Sequence, residues 1–203
     1  MTALTLKAAR EKDLNPIFRG AVSSAIESYG DFVDVIRHVI SRTIKNMVRG
    51  RNHFEGMGED KITFHVISQF HSLGFNASHD KQVGGHVDIT IEHGDYLWYG
   101  EAKIHTCYAT LQKGWAQLTT RYMTGMAGED CGAFLIYNFN KNAAQVTHEW
   151  RKVMVENYPD VELGEIEDGL NFASKGIHAG SGRSFLVDHY NIPLYFDPQD
   201  RER

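Results

Sequence analysis

Apolar residues recur at spacings of three and four from Ala21 to Arg49, where Val33, Ile36, Ile40, Ile44 and Met47 form one stripe, which predicts an amphipathic helix. Another face carries His38, Arg42, Lys45 and Arg49, read either as a solvated face or as a basic edge facing phosphate or a partner. Gly50 is placed to stop this helix. A second helix is predicted from Glu59 to Leu73 on Ile62, Val66, Ile67, Phe70 and Leu73, closed by Gly74 and followed by the extended start Phe75-Asn76-Ala77-Ser78. Glu59 and Asp60 occupy its first turn, where acidic side chains complement the helix dipole.

From Val87 the period changes to two. Val87, Ile89 and Ile91 alternate with Asp88, Thr90 and Glu92, as in a strand with one buried face, and a second strand begins at Tyr96. Gly94-Asp95 suits a two-residue type II′ turn, with Gly at the position that needs positive φ. That turn sets His93 opposite Tyr96, and the same register sets Asp88 opposite Glu101 and His86 opposite Lys103. Opposed residues share a face with Cβ atoms ~5 Å apart, and Glu101 and Lys103, two apart in one strand, share it as well. Like charges facing each other are unfavourable, so two carboxylates and an amine on one patch ask for a cation.

A third helix is predicted from Ala109 to Met126, burying Leu111, Trp115, Leu118 and Tyr122, with Lys113, Gln117 and Arg121 at steps of four on a polar row. Cys131 to Phe139 reads as a buried central strand, and Gln145 to Tyr158 as a fourth helix ended by Pro159. The stretch from Asn171 to Phe196 holds two strand-like runs separated by the loop Gly180-Ser181-Gly182. Phe185-Leu186-Val187 and Leu194-Tyr195-Phe196 are expected to add to the sheet or cover one of its edges, and Pro193 to confine its segment to an edge. Residues 1 to about 20, broken by Pro16, read as a polar tail or docking segment. The order implies one α/β domain over 1–203, a central mixed β-sheet flanked by helices.

Composition narrows the function classes. The net charge of −5 argues against a nucleic-acid coat, so a polyanion partner needs a local basic patch or bound metal. No apolar run is long enough for a membrane span. The two cysteines, Cys107 and Cys131, lack CxxC spacing, which points to a reducing cytoplasm and away from structural zinc. His38, His53, His65 and His71 have no familiar ligand spacing, and most histidines are expected at the surface or its boundary.

Asp88, then Glu101-Ala102-Lys103 on a hairpin, then a helix and a buried strand, resembles the PD-(D/E)xK nuclease superfamily. An ExK tripeptide alone arises about once by chance in a chain this long, with Glu and Lys each at roughly 6% of residues; the register that opposes Asp88 to Glu101 is the discriminating part. The resemblance covers 59–139 and implies a restriction-endonuclease-like αβββαβ core there; an N-terminal helical extension over 1–50 and a C-terminal helix and strands over 140–203 are read from the pattern of the chain alone. It implies Mg²⁺-dependent cleavage of phosphodiester bonds in DNA, with Mn²⁺ as a substitute. Asp88 and Glu101 would be metal ligands, and Lys103 would contact the attacking water or the phosphate. Glu59 stands where some branches place an additional metal-binding Glu, and Gln117 resembles a polar residue of the following helix. Val87 stands where the motif has proline. One branch carries a Gln-xxx-Tyr motif, whereas here Gln117 is followed by Arg121 and then Tyr122, so that branch is not assigned.

The chemistry suits these residue types, because Mg²⁺ takes oxygen ligands from one or two carboxylates, and the Ala102 carbonyl is a further candidate. Lys113, Gln117 and Arg121 are candidate backbone-phosphate contacts, with Arg42, Lys45 and Arg49 behind them. A homodimer is expected, with Trp98 and Tyr108 as candidate interface aromatics, and an activating protein or small ligand stays open, as do restriction, repair and phage-defence roles. The alternatives are a non-catalytic nucleic-acid or partner-binding module on the same fold, a ribonuclease, and a merely solvated edge hairpin whose ion pairs are worth ~0–1 kcal/mol.

Overall fold

The computed structural model describes residues 26–82 and 84–200; the expected N-terminal tail lies outside them. The first helix, α1 (Tyr29–Arg49), starts later than the periodicity predicts, because the Ser28 side chain caps it by accepting the Asp31 N–H at 3.1 Å. Its C-terminus is closed by the Gly50 N–H bonding the Asn46 carbonyl, and a 3₁₀ turn follows over Arg51–Phe54. The second helix, α2 (Glu59–His71), stops two residues short of Leu73. There the Gly74 and Phe75 N–H groups bond back to His71 and Phe70 in a Schellman closure.

Strands β1 (Asn76–Ser78), β2 (Lys81–Gln82), β3 (His86–Val87), β4 (Ile89–His93) and β5 (Tyr96–Ile104) follow. The β4–β5 register is the one read from the turn, from His93↔Tyr96 to Ile89↔Gly100, and Gly94 adopts φ +59°. The strand does not continue through Asp88, however. Asp88 is a bend, and β3 leaves the main sheet to pair with β2, Gln82 facing His86. The expected opposition of His86 to Lys103 therefore fails; His86 is exposed, its Nδ1 2.7 Å from Asp80 Oδ1.

Helix α3 (Tyr108–Gln117) runs into a π-helical turn at Leu118–Tyr122 and ends there, four residues before the expected Met126. Strand β6 (Cys131–Asn138) is buried at every position, as a central strand should be, and α4 (Ala143–Asn157) follows it. Strands β7 (Glu162–Leu163), β8 (Asn171–Ile177) and β9 (Ser184–Pro193) complete the sheet. Leu194–Phe196 adds no strand; β8 does. Pro193 ends β9, an interior strand, but sits beyond Tyr190, the last β9 residue in the β8 ladder, where no partner there needs its missing N–H.

The result is a mixed seven-stranded sheet in the order β1-β4-β5-β6-β9-β8-β7, with β5, β6 and β9 mutually parallel. Side chains alternate across it into two cores. Phe32, Ile36, Ile40, Ile62, Val66 and Phe70 of α1 and α2 pack on Ile89, Ile91, Trp98 and Leu135. Leu111, Trp115, Trp150 and Met154 of α3 and α4 pack on Tyr99, Phe134, Ile136 and Val187 of the other face. Trp98 is thus a core residue at 1% exposure and no interface aromatic, whereas Tyr108 is half-buried against His105. Among the described residues no helix is long and apolar enough to cross a membrane.

Candidate functional site

Glu101 and Lys103 alternate with Ala102 along β5, so their side chains leave on the α3 face while the Ala102 methyl enters the opposite core. Close approach of α3 is allowed by Gly114, where a Cβ would lie 2.8 Å from Lys103 Cγ and 2.8 Å from Phe134 Cε2. The lysine stem lies in that gap and its ammonium reaches past the strand. Asp88 arrives from the bend between β3 and β4, and its Oδ2 accepts the Ala102 N–H at 2.9 Å. A side-chain acceptor thus stands where a ladder partner is expected, and this is how Asp88 meets Glu101 and Lys103 without an unbroken strand. Glu59 comes from the first turn of α2: Oε2 accepts the Ile104 N–H at 2.7 Å and Oε1 accepts from Lys103 at 3.3 Å. Its contacts go well beyond a favourable place on the helix dipole.

Four oxygens converge on the Lys103 ammonium. Glu101 Oε1 lies at 2.7 Å, the Ala102 carbonyl at 2.8 Å, and Asp88 Oδ2 and Glu59 Oε1 both at 3.3 Å. Side-chain exposure rises outward, from 1% at Glu101 through 13% at Lys103 and 22% at Asp88 to 31% at Glu59, so the cluster is a closed floor with an open mouth. Neither Glu101 carboxylate oxygen has a well-aligned hydrogen-bond donor among the described residues; its close charge is the poorly aligned ammonium. Burial, and after it the Asp88 carboxylate, pushes the Glu101 carboxyl up to about 8. Burial works against the Lys103 ammonium, but Asp88, Glu101 and Glu59 together outweigh it and hold its pKa above the ordinary lysine value.

Donors for a hard cation are therefore assembled, but around an ammonium. Mg²⁺ asks for oxygens at about 2.0–2.1 Å in octahedral array. Among the described residues no group of three or more His, Cys, Asp or Glu side chains is arranged to hold a metal ion. Asp88, Glu101, Glu59 and the Ala102 carbonyl are oxygen donors of the kind such an ion takes, and in this arrangement the Lys103 ammonium stands among them.

The helix after the motif contributes a residue that periodicity hid. The π turn closes with the Met123 N–H bonding the Leu118 carbonyl at 2.9 Å, an i→i+5 bond. In an uninterrupted α-helix Tyr122 lies ~140° round the axis from Gln117; the wider π turn narrows that angle. Burial first, then Glu101 and Asp88, push the Tyr122 phenol up. The same turn carries Arg121 off the row shared by Lys113 and Gln117. Lys113 and Arg121 are exposed on this side of the molecule. Lys45 and Arg49 are elsewhere, lining a cleft of about 830 Å³ between α1 and β8–β9 with Glu167, Asp168 and Asp188, and Arg42 is exposed on the same helix. The fold thus separates the α1 basic row from the carboxylate cluster.

His189 departs from the expected surface histidines: buried at 1% exposure, it stacks on Phe172 and bonds Trp150 and Ser174. Compared with protein-family models, curated proteins and solved structures, the chain matches none, so its own geometry carries the functional argument.

Proposed function

We propose that the chain is a metal-dependent endonuclease that hydrolyses phosphodiester bonds in DNA. The observation that carries this reading is Glu101, a fully buried carboxylate whose one close cation among the described residues is the Lys103 ammonium, an ammonium it shares with two further carboxylates. The cluster is short of positive charge. It makes up the deficit by keeping a proton on Glu101 or by taking up a cation. An all-oxygen donor set suits Mg²⁺ or Mn²⁺. The sequence of α2, the antiparallel β1, β4 and β5, α3 and the parallel β6 supports the nuclease resemblance.

Asp88, Glu101, Glu59 and the Ala102 carbonyl would hold the cation, which when bound lowers the pKa of its water and polarises the phosphate. Lys103, kept as an ammonium by its carboxylate neighbours, supplies positive charge to the phosphoryl oxygens rather than acting as a base. The buried floor at Glu101 keeps water off the inner side, while the exposure of Asp88 and Glu59 leaves room for a strand to approach. Lys113, exposed on α3, is our candidate for a backbone-phosphate contact.

Purified protein with Mg²⁺ or Mn²⁺ should cut at least one of plasmid, linear, single-stranded or branched DNA. Activity on RNA alone would make it a ribonuclease. DNA binding with no calorimetric signal for either metal would make it a binding module.

A further inference from the structure

The backbone of Asp88 belongs to neither sheet: β3 lies in the small ribbon, β4 in the main sheet, and only the Asp88 side chain reaches β5, at the Ala102 N–H. The backbone of the bend is anchored from the other side. Two residues upstream, the His86 carbonyl accepts the Tyr122 hydroxyl at 2.6 Å. Tyr122 is fully buried, so its ring is immobilised by the core formed with Leu118, Trp115 and Val87. Gly84 seals the same contact from the other side. Its φ is +61°, and a Cβ there would fall 2.3 Å from the Arg121 carbonyl oxygen, so only glycine lets the strand pass this close to the π turn.

We infer that Tyr122 is a positioning residue for Asp88, delivered to the His86 carbonyl by the π turn that ends α3. The extra residue in that turn swings the phenol out of the regular α-helical stripe and towards the 84–88 segment. Helix α3 is thereby tied to both halves of the cluster: Gly114 seats the Lys103 stem, and Tyr122 fixes the approach of Asp88. The functional consequence rests on the metal-site reading; the positioning itself does not.

Tyr122→Phe keeps the ring and removes only the hydroxyl. In metal-free protein, hydrogen exchange of the Ala102 amide, whose acceptor is Asp88 Oδ2, should accelerate about three- to tenfold. The Leu135 amide in the central strand should be unchanged. In the same variant Mn²⁺ affinity and kcat should fall by a similar factor while KM for DNA stays constant. Equal protection of Ala102 in the variant and the parent overturns the inference, as does loss of protection at Ala102 and Leu135 alike, which marks global destabilisation. Faster Ala102 exchange in a protein whose parent binds no Mn²⁺ upholds the positioning and removes the metal reading instead.

Discussion

Replacing Glu101 by Gln should stabilise the metal-free protein at alkaline pH while disabling the site. Burial and then Asp88 move the Glu101 carboxyl from an ordinary 4.5 up to about 8. Between those values the folded chain keeps a proton that the unfolded chain releases. The Glu101 contribution to stability is therefore full at and below pH 4.5, falls as pH climbs towards about 8, and is flat beyond. At about 1.4 kcal/mol per pH unit the window is worth on the order of 5 kcal/mol, an upper figure because Asp88, Glu59 and Lys103 titrate with it. Gln keeps the shape and cannot ionise. The variant should gain roughly 2–4 kcal/mol over the parent at about pH 8.5, or roughly 5–15 °C in Tm for a domain of this size. Scanning calorimetry in EDTA should show a Tm difference between variant and parent that widens as pH climbs from 4.5 to about 8, from curves that keep a constant offset at the acid end. Added Mn²⁺ should raise the Tm of the parent alone. Parallel curves, or a variant less stable than the parent at alkaline pH, would refute the reasoning.

Gly114→Ala puts a Cβ 2.8 Å from Lys103 Cγ and Phe134 Cε2, so it should cost ~1–3 kcal/mol in urea unfolding and lower cleavage by displacing the lysine. His189 is lowered by burial from 6.5 to about 3; its folded state refuses a proton that the unfolded chain accepts, so stability present above pH 6.5 is lost as pH falls towards 3. His189→Gln should shrink that acid-side slope in pH-dependent unfolding, at a cost of ~1–3 kcal/mol from the disturbed Trp150 and Ser174 bonds. Ser28→Ala removes the α1 cap and should cost about 1 kcal/mol by the same measurement.

The parts of the fold legible in the sequence are those set by local rules. Gly94-Asp95 and the alternation around it fix the β4–β5 register, and unbroken apolarity identifies β6. Strand β8 is legible only as a run before the Gly180-Ser181-Gly182 loop, with no apolar face to read, because its buried side carries Ser174 and Gly176 while Ile177 faces out. Asp88 lies where the alternation is clean, yet the strand breaks there. The causes are tertiary: the Ala102 N–H bonds the Asp88 carboxylate, and Tyr122 draws on the His86 carbonyl. Glu59 shows in sequence only as an acid in a first turn, since its bond to the Ile104 N–H needs the packed fold. The π turn escapes because Leu111, Trp115, Leu118 and Tyr122 also satisfy an ordinary helical stripe. The basic row of α1 is legible as a row; which side of the sheet it lies on is not.

The most direct test is nicking of supercoiled plasmid by the parent and by Asp88→Ala, Glu101→Ala and Lys103→Ala, each with Mg²⁺ and with EDTA. The parent should cut only with metal, and each variant should lose activity by ~10²–10⁴-fold while remaining folded. Cutting that persists in EDTA, or variants that cut as well as the parent, would contradict a metal site at Asp88, Glu101 and Lys103.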